Sequence, residues 1–279
     1  MILLELLREG TKFIVYSAII VLISKYVLVT NIRKLAENLK LKSRTVGNIA
    51  GYATSVPELL TVAASSFNGL LGASIYNVLS SNVINFIQYL STIIINKNQR
   101  QLSNLAVRTD IILVIATIII PIFLIVAKIE MNIWTTVVFI ILYIIFKYIN
   151  GNAHRLYIKN EEDYEEKNEN SNSVLANLKY ILFLILSGVL LFFVGDLLGT
   201  TLENLCYRFK IPQIVIGILL GFITSIPELI TFIESQKHHK KSENDLHGVV
   251  EATNNLFTSN ILNLFIIQSI GVLIYVIFA

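Results

Sequence analysis

The chain has 279 residues, of which 54% are hydrophobic and only 15% are charged, and its formal net charge is +3. Together with a mean hydropathy of +0.69, this composition excludes an ordinary soluble domain and indicates an integral membrane protein. The single cysteine, Cys206, excludes an internal disulfide and a thiolate metal cage.

Eight stretches are apolar enough to be predicted as membrane-spanning helices, each of about 20 residues. The first five helices are predicted at 11–30, 45–67, 70–95, 109–128 and 131–150. The last three are predicted at 177–200, 211–235 and 246–272. Charged residues before the first apolar run favour a retained span over a cleaved signal peptide. The predicted fold class is therefore all-α, a polytopic membrane protein of five plus three transmembrane helices.

An acidic stretch at 161–166 separates the first five predicted helices from the last three. Such a charge run is typical of a solvated linker. We therefore predict a first membrane half at 1–153, a cytoplasmic acidic linker at 154–174 and a second membrane half at 175–279.

Basic residues lie mainly in alternate loops, which follow predicted helices one, three and seven. They are Arg33, Lys34, Lys40, Lys42, Arg44, Lys97, Arg100, Arg108, Lys237, Lys240 and Lys241. Because Lys and Arg concentrate in cytoplasmic loops, both termini are predicted to be external, in a multi-pass protein of the cell (plasma) membrane. With five helices in the first half, a segment repeated in the second half runs through the bilayer in the opposite sense, which predicts an inverted repeat.

Two short stretches share one pattern, GYATSVPELLT at 51–61 and GFITSIPELIT at 221–231, with seven of eleven positions identical. Each stretch places a proline and a glutamate, Glu58 or Glu228, inside an apolar run. An acidic residue at the bilayer centre costs roughly 2.5 to 3.5 kcal/mol. This cost favours a functional role over the alternative, which is a helix–helix hydrogen bond made by protonated glutamates.

A second pattern follows each of the first, NVLSSNVIN at 77–85 and NLFTSNILN at 255–263. Each half is therefore predicted to contain a helical hairpin with a glutamate on its first arm and an asparagine, Asn82 or Asn260, on its second. The alternative for these amides is a role in joining membrane helices.

Hydroxyl groups lie three and four residues before each glutamate and therefore share a helix face with it. The prolines also free backbone carbonyls beside the carboxylates, although the hydroxyls could instead serve only to satisfy this broken backbone. Ser81 and Asn85 add oxygens from the next helix, and the second half supplies a matching set. Such an oxygen-only cage suits a hard cation. The candidate ligands are Glu58, Glu228, Asn82, Asn260, Thr54, Ser55, Thr224 and Ser225.

The segments TSVPE and TSIPE, followed by SSN and TSN, resemble the two alpha-repeats of the cation/calcium antiporter superfamily, which contains the sodium/calcium and calcium/proton exchangers. The resemblance covers roughly 45–95 and 211–270. It implies that Glu58 and Glu228 coordinate calcium centrally, with the flanking hydroxyls and the two asparagines completing the sodium or calcium site. Because members of this family usually have ten helices, the second half is expected to be shortened, incomplete or completed by a neighbouring subunit.

The resemblance implies a secondary active antiporter, not an enzyme, which exchanges calcium for sodium without a cofactor. Exchange of calcium or another divalent cation for protons is the nearest alternative. A nontransporting ion-binding remnant or subunit is an alternative of another class. A channel is disfavoured because the repeat already supplies a two-fold site in one chain. A hydrolase using Ser55 or Ser225 is disfavoured because the sequence places no base beside either serine.

The expected partners are calcium, sodium or protons as substrates and the lipid bilayer, without nucleic acid, and a homo-oligomer is left open. Other polar residues are weaker candidates. Glu251 is interpreted as interfacial, with a position in an inner vestibule as the alternative. Asp110 is interpreted as a helix N-terminal charge. The pair His238 and His239 lies in a basic loop.

Overall fold

The computed structural model describes residues 2–38, 43–155, 174–240 and 245–278, and every regular element in them is helical. The first half contains α1 (Ile2–Ile23), α2 (Thr30–Asn38), α3 (Ser43–Thr54), α4 (Val56–Phe67), α5 (Leu71–Ile95), α6 (Leu105–Val126) and α7 (Ile133–Ala153). The second half contains α8 (Val174–Glu203), α9 (Gln213–Thr224), α10 (Ile226–Lys240), α11 (Asp245–Ile261) and α12 (Gln268–Phe278). Short π-helical segments at Ser24–Val29, Asn204–Arg208 and Leu262–Ile267, and a 3₁₀ turn at Gln99–Ser103, lie between them.

Six helical stretches of the described chain are long and apolar enough to cross a membrane. They are Leu71–Ile95, Leu105–Val126, Ile133–Ala153, Leu178–Arg208, Gln213–Lys237 and Asp245–Phe278. These stretches coincide with the last six predicted spans, so the prediction of an all-α membrane fold is confirmed. The other two predicted spans, 11–30 and 45–67, fall within helical segments, but the total of eight spans stays a prediction.

The two hairpins are interleaved, because the first helix of each packs against the second arm of the other. Helix α3 lies on α11 and α9 lies on α5, and glycines line both contacts. A Cβ atom added at Gly51 would lie 2.8 Å from Asn255 O, and one added at Gly217 would lie 2.6 Å from Ala73 O. Because no side chain fits in these contacts, the glycines allow the close backbone approach that is typical of small residues at membrane helix interfaces.

Loop contacts define two opposite faces of the molecule. One, which we call the Arg44 face, contains the start of α3, where Arg44 donates to Asn150 Oδ1 (2.6 Å), and the ends of α5 and α10. On the other, which we call the Asn68 face, the Tyr207 hydroxyl lies 3.4 Å from the Asn68 carbonyl oxygen. The three basic loops, which are predicted to be cytoplasmic, each begin or end at the Arg44 face.

Helices α1 and α8 pack side by side outside the hairpins. Phe13 and Ile20 of α1 and Leu191 and Leu198 of α8 belong to one apolar cluster, whereas α6 and α7 contribute to a separate one. At the Asn68 face, Arg208 also pairs with Glu5 of α1 (2.7 Å). The central hairpins are therefore flanked by α1 and α8 on one side and by α6 and α7 on the other.

Asp110 is fully buried near the Arg44 face and lies in the second turn of α6, which begins at Leu105, so its interpretation as a charge at a helix N-terminus is wrong. Its Oδ2 atom is hydrogen-bonded to His154 Nε2 (2.8 Å), and its Oδ1 atom accepts from Asn150 Nδ2 (2.7 Å). Asn150 also reaches Asn254 of α11 (3.2 Å). The carboxylate therefore ties α6 to the end of α7 and, through Asn150, to the second hairpin.

We expect Asp110→Ala to destabilise the protein by about 3 kcal/mol or more, because it removes the buried carboxylate to which His154 Nε2 and Asn150 Nδ2 are hydrogen-bonded. The thermal unfolding midpoint of the purified chain in detergent measures the change. The control is Thr109→Ala at the neighbouring position, where the exposed hydroxyl donates to Leu105 O of its own helix. Equal midpoints for the two variants would contradict this assignment.

Several predicted features lie at or beyond the edges of the described residues. The predicted acidic linker lies outside them at 156–173, as do the side chains of His238 and His239. His154, which the sequence placed at the start of the linker, is buried at the end of α7. Glu251, interpreted as interfacial, is only 4% exposed and therefore belongs to the interior.

Candidate cation-binding site

Both repeat stretches break their helix at the same serine. Ser55 separates α3 from α4 with φ −82° and ψ 0°, and Ser225 separates α9 from α10 with φ −78° and ψ −1°. The cause is the proline two residues later, which lacks an N–H group and clashes with the carbonyl four residues before it. Each break places a helix N-terminus, with its positive dipole end, at the centre of the molecule.

Glu58 and Glu228 are the third residues of α4 and α10 and are fully buried. The hydroxyls of Ser81 and Thr224 face the Glu58 carboxylate. The Ser259 hydroxyl donates to Glu228 Oε1 (3.0 Å). Each carboxylate therefore lies between a helix N-terminus and the hydroxyl-bearing face of a second arm.

The predicted hydroxyl residues also lie at this centre, where a threonine of each half faces the glutamate of the other half. Thr224 of the second half faces Glu58, and Thr54 of the first half faces Glu228. Ser55 Oγ lies 2.9 Å from Gly51 O and 3.0 Å from Ser259 Oγ, so it links the break between α3 and α4 to the second arm of the other half. Because the hairpins are interleaved, each carboxylate is surrounded by oxygen atoms from both repeats.

Several buried oxygens at this centre have no hydrogen-bond partner among the described residues. They are Oε1 and Oε2 of Glu58, Oε2 of Glu228, Oδ1 of Asn85, Oδ1 of Asn263 and Oγ of Ser225. Buried polar atoms are nearly always paired, and an unpaired one costs about 1–3 kcal/mol, or more for a charged group. A convergence of unpaired oxygens therefore indicates a place for a positively charged ligand.

Asn82 and Asn260 join the two second arms at the centre. The Nδ2 atom of each donates to the backbone oxygen of the other, at 3.1 Å in both directions. Their Oδ1 atoms accept from Asn263 and Asn85 respectively, each at 3.3 Å. All polar atoms of these two amides are thus engaged, whereas the free oxygens belong to Asn85 and Asn263, one helical turn beyond Ser81 and Ser259.

A family model described as "Sodium/calcium exchanger protein" matches residues 10–151 and 179–278, which is most of the chain. The chain belongs to the sodium/calcium exchanger protein family. The family resemblance inferred from the two repeats is confirmed. Members of this family are transporters, and the six apolar helices make this one a multi-pass membrane protein.

Solved structures of exchangers share the fold of this family member. The sodium-calcium exchanger NCX_Mj, soaked with 10 mM Na⁺ and zero Ca²⁺, is 22% identical with a TM-score of 0.53, and the match covers 95% of this chain and 83% of that one. The H⁺/Ca²⁺ exchanger CAX is 15% identical with a TM-score of 0.63, and the match covers 97% and 68% respectively. No curated protein sequence matches the chain significantly. At these identities the structural matches establish the fold alone.

Proposed function

We propose that the protein is a secondary active antiporter that exchanges calcium for sodium at the central site. The observation that carries this proposal is Glu58, which is fully buried with both carboxylate oxygens unpaired among the described residues. Two glutamates match the charge of one divalent ion, and hydroxyl and amide oxygens supply the neutral ligands that Ca²⁺ needs to reach six to eight.

The residues take two roles in this proposal. Glu58 and Glu228 bind calcium directly, and the free amide oxygens of Asn85 and Asn263 complete its shell. The hydroxyls of Thr54, Ser55, Thr224 and Ser225 bind either calcium or sodium. Asn82 and Asn260 hold the two second arms together and thereby fix the spacing between the glutamates.

Exchange follows from the cost of burying unneutralised charge. While the site is empty, its two carboxylates are charged in a low-dielectric interior. The free-energy cost of this charge prevents the empty protein from switching the site between access from one face and access from the other. Either one calcium ion or a set of monovalent ions neutralises it, and both sets use the same oxygens. Competition for one site therefore couples calcium movement to the opposing movement of the other ion.

The direct test is calcium flux into proteoliposomes that hold the purified chain, driven in parallel by a sodium gradient and by a proton gradient. We expect the sodium gradient to drive uptake because two sodium ions also neutralise the two carboxylates. Collapsing each gradient with the matching ionophore is the control. An absence of flux with either gradient would contradict antiport and favour an ion-binding remnant or a subunit that needs a partner.

Calcium/proton exchange is the second candidate, and the same experiment separates it. The site contains two carboxylates among neutral groups, and each of them can take one proton when calcium leaves. Uptake driven by the proton gradient in sodium-free buffer would establish this candidate instead.

We also propose that the Arg44 face is cytoplasmic in the plasma membrane, with both termini outside. The support is the excess of Lys and Arg in the loops that meet this face. Labelling Lys97→Cys, at an exposed position of that face, with an impermeant thiol reagent in a Cys206→Ser background tests the orientation. Labelling of intact cells would contradict it.

A further inference from the structure

Polar pairs continue from Glu228 toward the Arg44 face, between the facing arms α10 and α11. Asn255 Nδ2 donates to Thr231 Oγ1 (2.6 Å), and one level further Ser235 Oγ donates to Glu251 Oε1 (2.6 Å). All of these side chains are buried. We call this series the α10–α11 ladder.

The first half has a matching series from Glu58 toward the Asn68 face, between α4 and α5. Asn77 Nδ2 donates to Thr61 Oγ1 (2.7 Å), which repeats the first pair of the α10–α11 ladder. The positions that correspond to the second pair hold Ser65 and Ala73. This α4–α5 ladder therefore ends without a carboxylate.

The ladders also differ in the side-chain oxygens of Asn77 and Asn255. Asn77 Oδ1 accepts a hydrogen bond from Ser81 (3.4 Å). Asn255 Oδ1 is fully buried and has no partner among the described residues. The α10–α11 ladder thus offers a free amide oxygen followed by a carboxylate, whereas the α4–α5 ladder offers neither.

Glu251 lies on the same face of α11 as Asn255 and Ser259, since the three are four residues apart. At 1.5 Å per residue, its Cα is about 12 Å from that of Ser259 along the helix axis. The free oxygen of Asn255 is midway between this carboxylate and the central site. Spacings of one helical turn place oxygen ligands along a continuous line.

We propose that Glu251 and Ser235 form a transit site for calcium on the Arg44 side of the central site, with Asn255 Oδ1 as the next ligand along the path. A calcium ion entering from this face binds Glu251 first and is then passed by Asn255 to Glu228. The path from the Asn68 face lacks this step, so the two entrances differ in their affinity for calcium. This inference rests on the proposed antiport function and adds a sidedness to it.

The test is the KM for calcium measured separately at each face for Glu251→Gln. Right-side-out and inside-out vesicles from expressing cells expose the two faces of the protein separately. An impermeant thiol reagent, which reacts with Lys97→Cys in a Cys206→Ser background only where the Arg44 face is on the outside, identifies the face that each vesicle preparation exposes. We expect the KM at the Arg44 face to rise about tenfold or more, the lower end of the range by which a charged cleft concentrates a counter-ion. The KM at the Asn68 face and the maximal rate should stay unchanged.

Two further variants separate a ligand from a structural or surface-charge role. Glu234→Gln removes an exposed carboxylate one residue from Ser235, so it controls for surface potential and should leave both KM values unchanged. Glu251→Asp keeps the charge and should restore much of the affinity at the Arg44 face.

An unchanged KM at the Arg44 face, or an equal rise at both faces, would overturn the transit site while leaving antiport intact. A loss of flux in Glu251→Asp as well as Glu251→Gln would assign Glu251 a structural role and would also overturn it. Absence of calcium flux in the unmodified chain would instead overturn the proposed function, and the transit site with it.

Discussion

Calcium flux should fall to the background of protein-free liposomes when Glu58 or Glu228 is replaced by glutamine. The replacement keeps the size of each side chain but removes one charge and points an amide donor at the cation. One unit charge at 4 Å contributes about 4 kcal/mol at an effective dielectric constant of 20. A loss of this size corresponds to a roughly thousandfold weaker affinity for even a monovalent ion.

The experiment has a matched control in Glu234→Gln, which makes the same change at an exposed position of α10. This variant should keep the flux of the unmodified chain. Size-exclusion profiles in detergent should coincide for all variants, because Glu58 and Glu228 make few hydrogen bonds that hold the fold. Substantial flux in either Glu58→Gln or Glu228→Gln would show that the two carboxylates do not form one shared site.

A substitution in the contact between the interleaved hairpins should also have a large effect, on both stability and flux. We expect Gly217→Ala to destabilise the protein by about 1–3 kcal/mol and to reduce flux strongly. The added Cβ would lie 2.6 Å from Ala73 O and 2.7 Å from Tyr76 Cβ, so α9 must move away from α5. This movement displaces Thr224, on the same helix, from the Glu58 carboxylate.

The control for this variant is Gly188→Ala on α8, where an added Cβ meets nothing within 4 Å. Its thermal unfolding midpoint and flux should match those of the unmodified chain. If Gly217→Ala were as stable and as active as Gly188→Ala, the close approach of α9 to α5 would not be required for the site.

Much of the central site could be predicted from local sequence. The breaks at Ser55 and Ser225 follow from the prolines two residues later, because the loss of an N–H group acts within one turn. The repetition of this pattern in opposite directions predicted that Glu58 and Glu228 meet. Their spacing to the second arms predicted which helices face them.

Rotation about the helix axis was harder to predict. Ser81 and Asn82 are adjacent, yet their side chains point about 100° apart, so only the structure shows which of them faces Glu58. Contacts between segments far apart in the sequence could not be predicted either. The pairing of Asp110 with His154, 44 residues later, depends on how α6 and α7 pack, and the hydrogen bond that Glu251 accepts from Ser235 depends on how α10 packs against α11.

The interleaving of the hairpins also has a consequence for biosynthesis. Asn254 Nδ2 donates to the backbone oxygen of Arg44, and Thr258 Oγ1 to Asn48 Oδ1, and each pair is 210 residues apart. At 5–20 residues per second, a ribosome needs roughly 10 to 40 s to make that length of chain. During this time the glycine-lined face of α3 is not covered by α11 and contacts lipid or an insertase instead. The packing of the first repeat is completed only when α11 leaves the translocon.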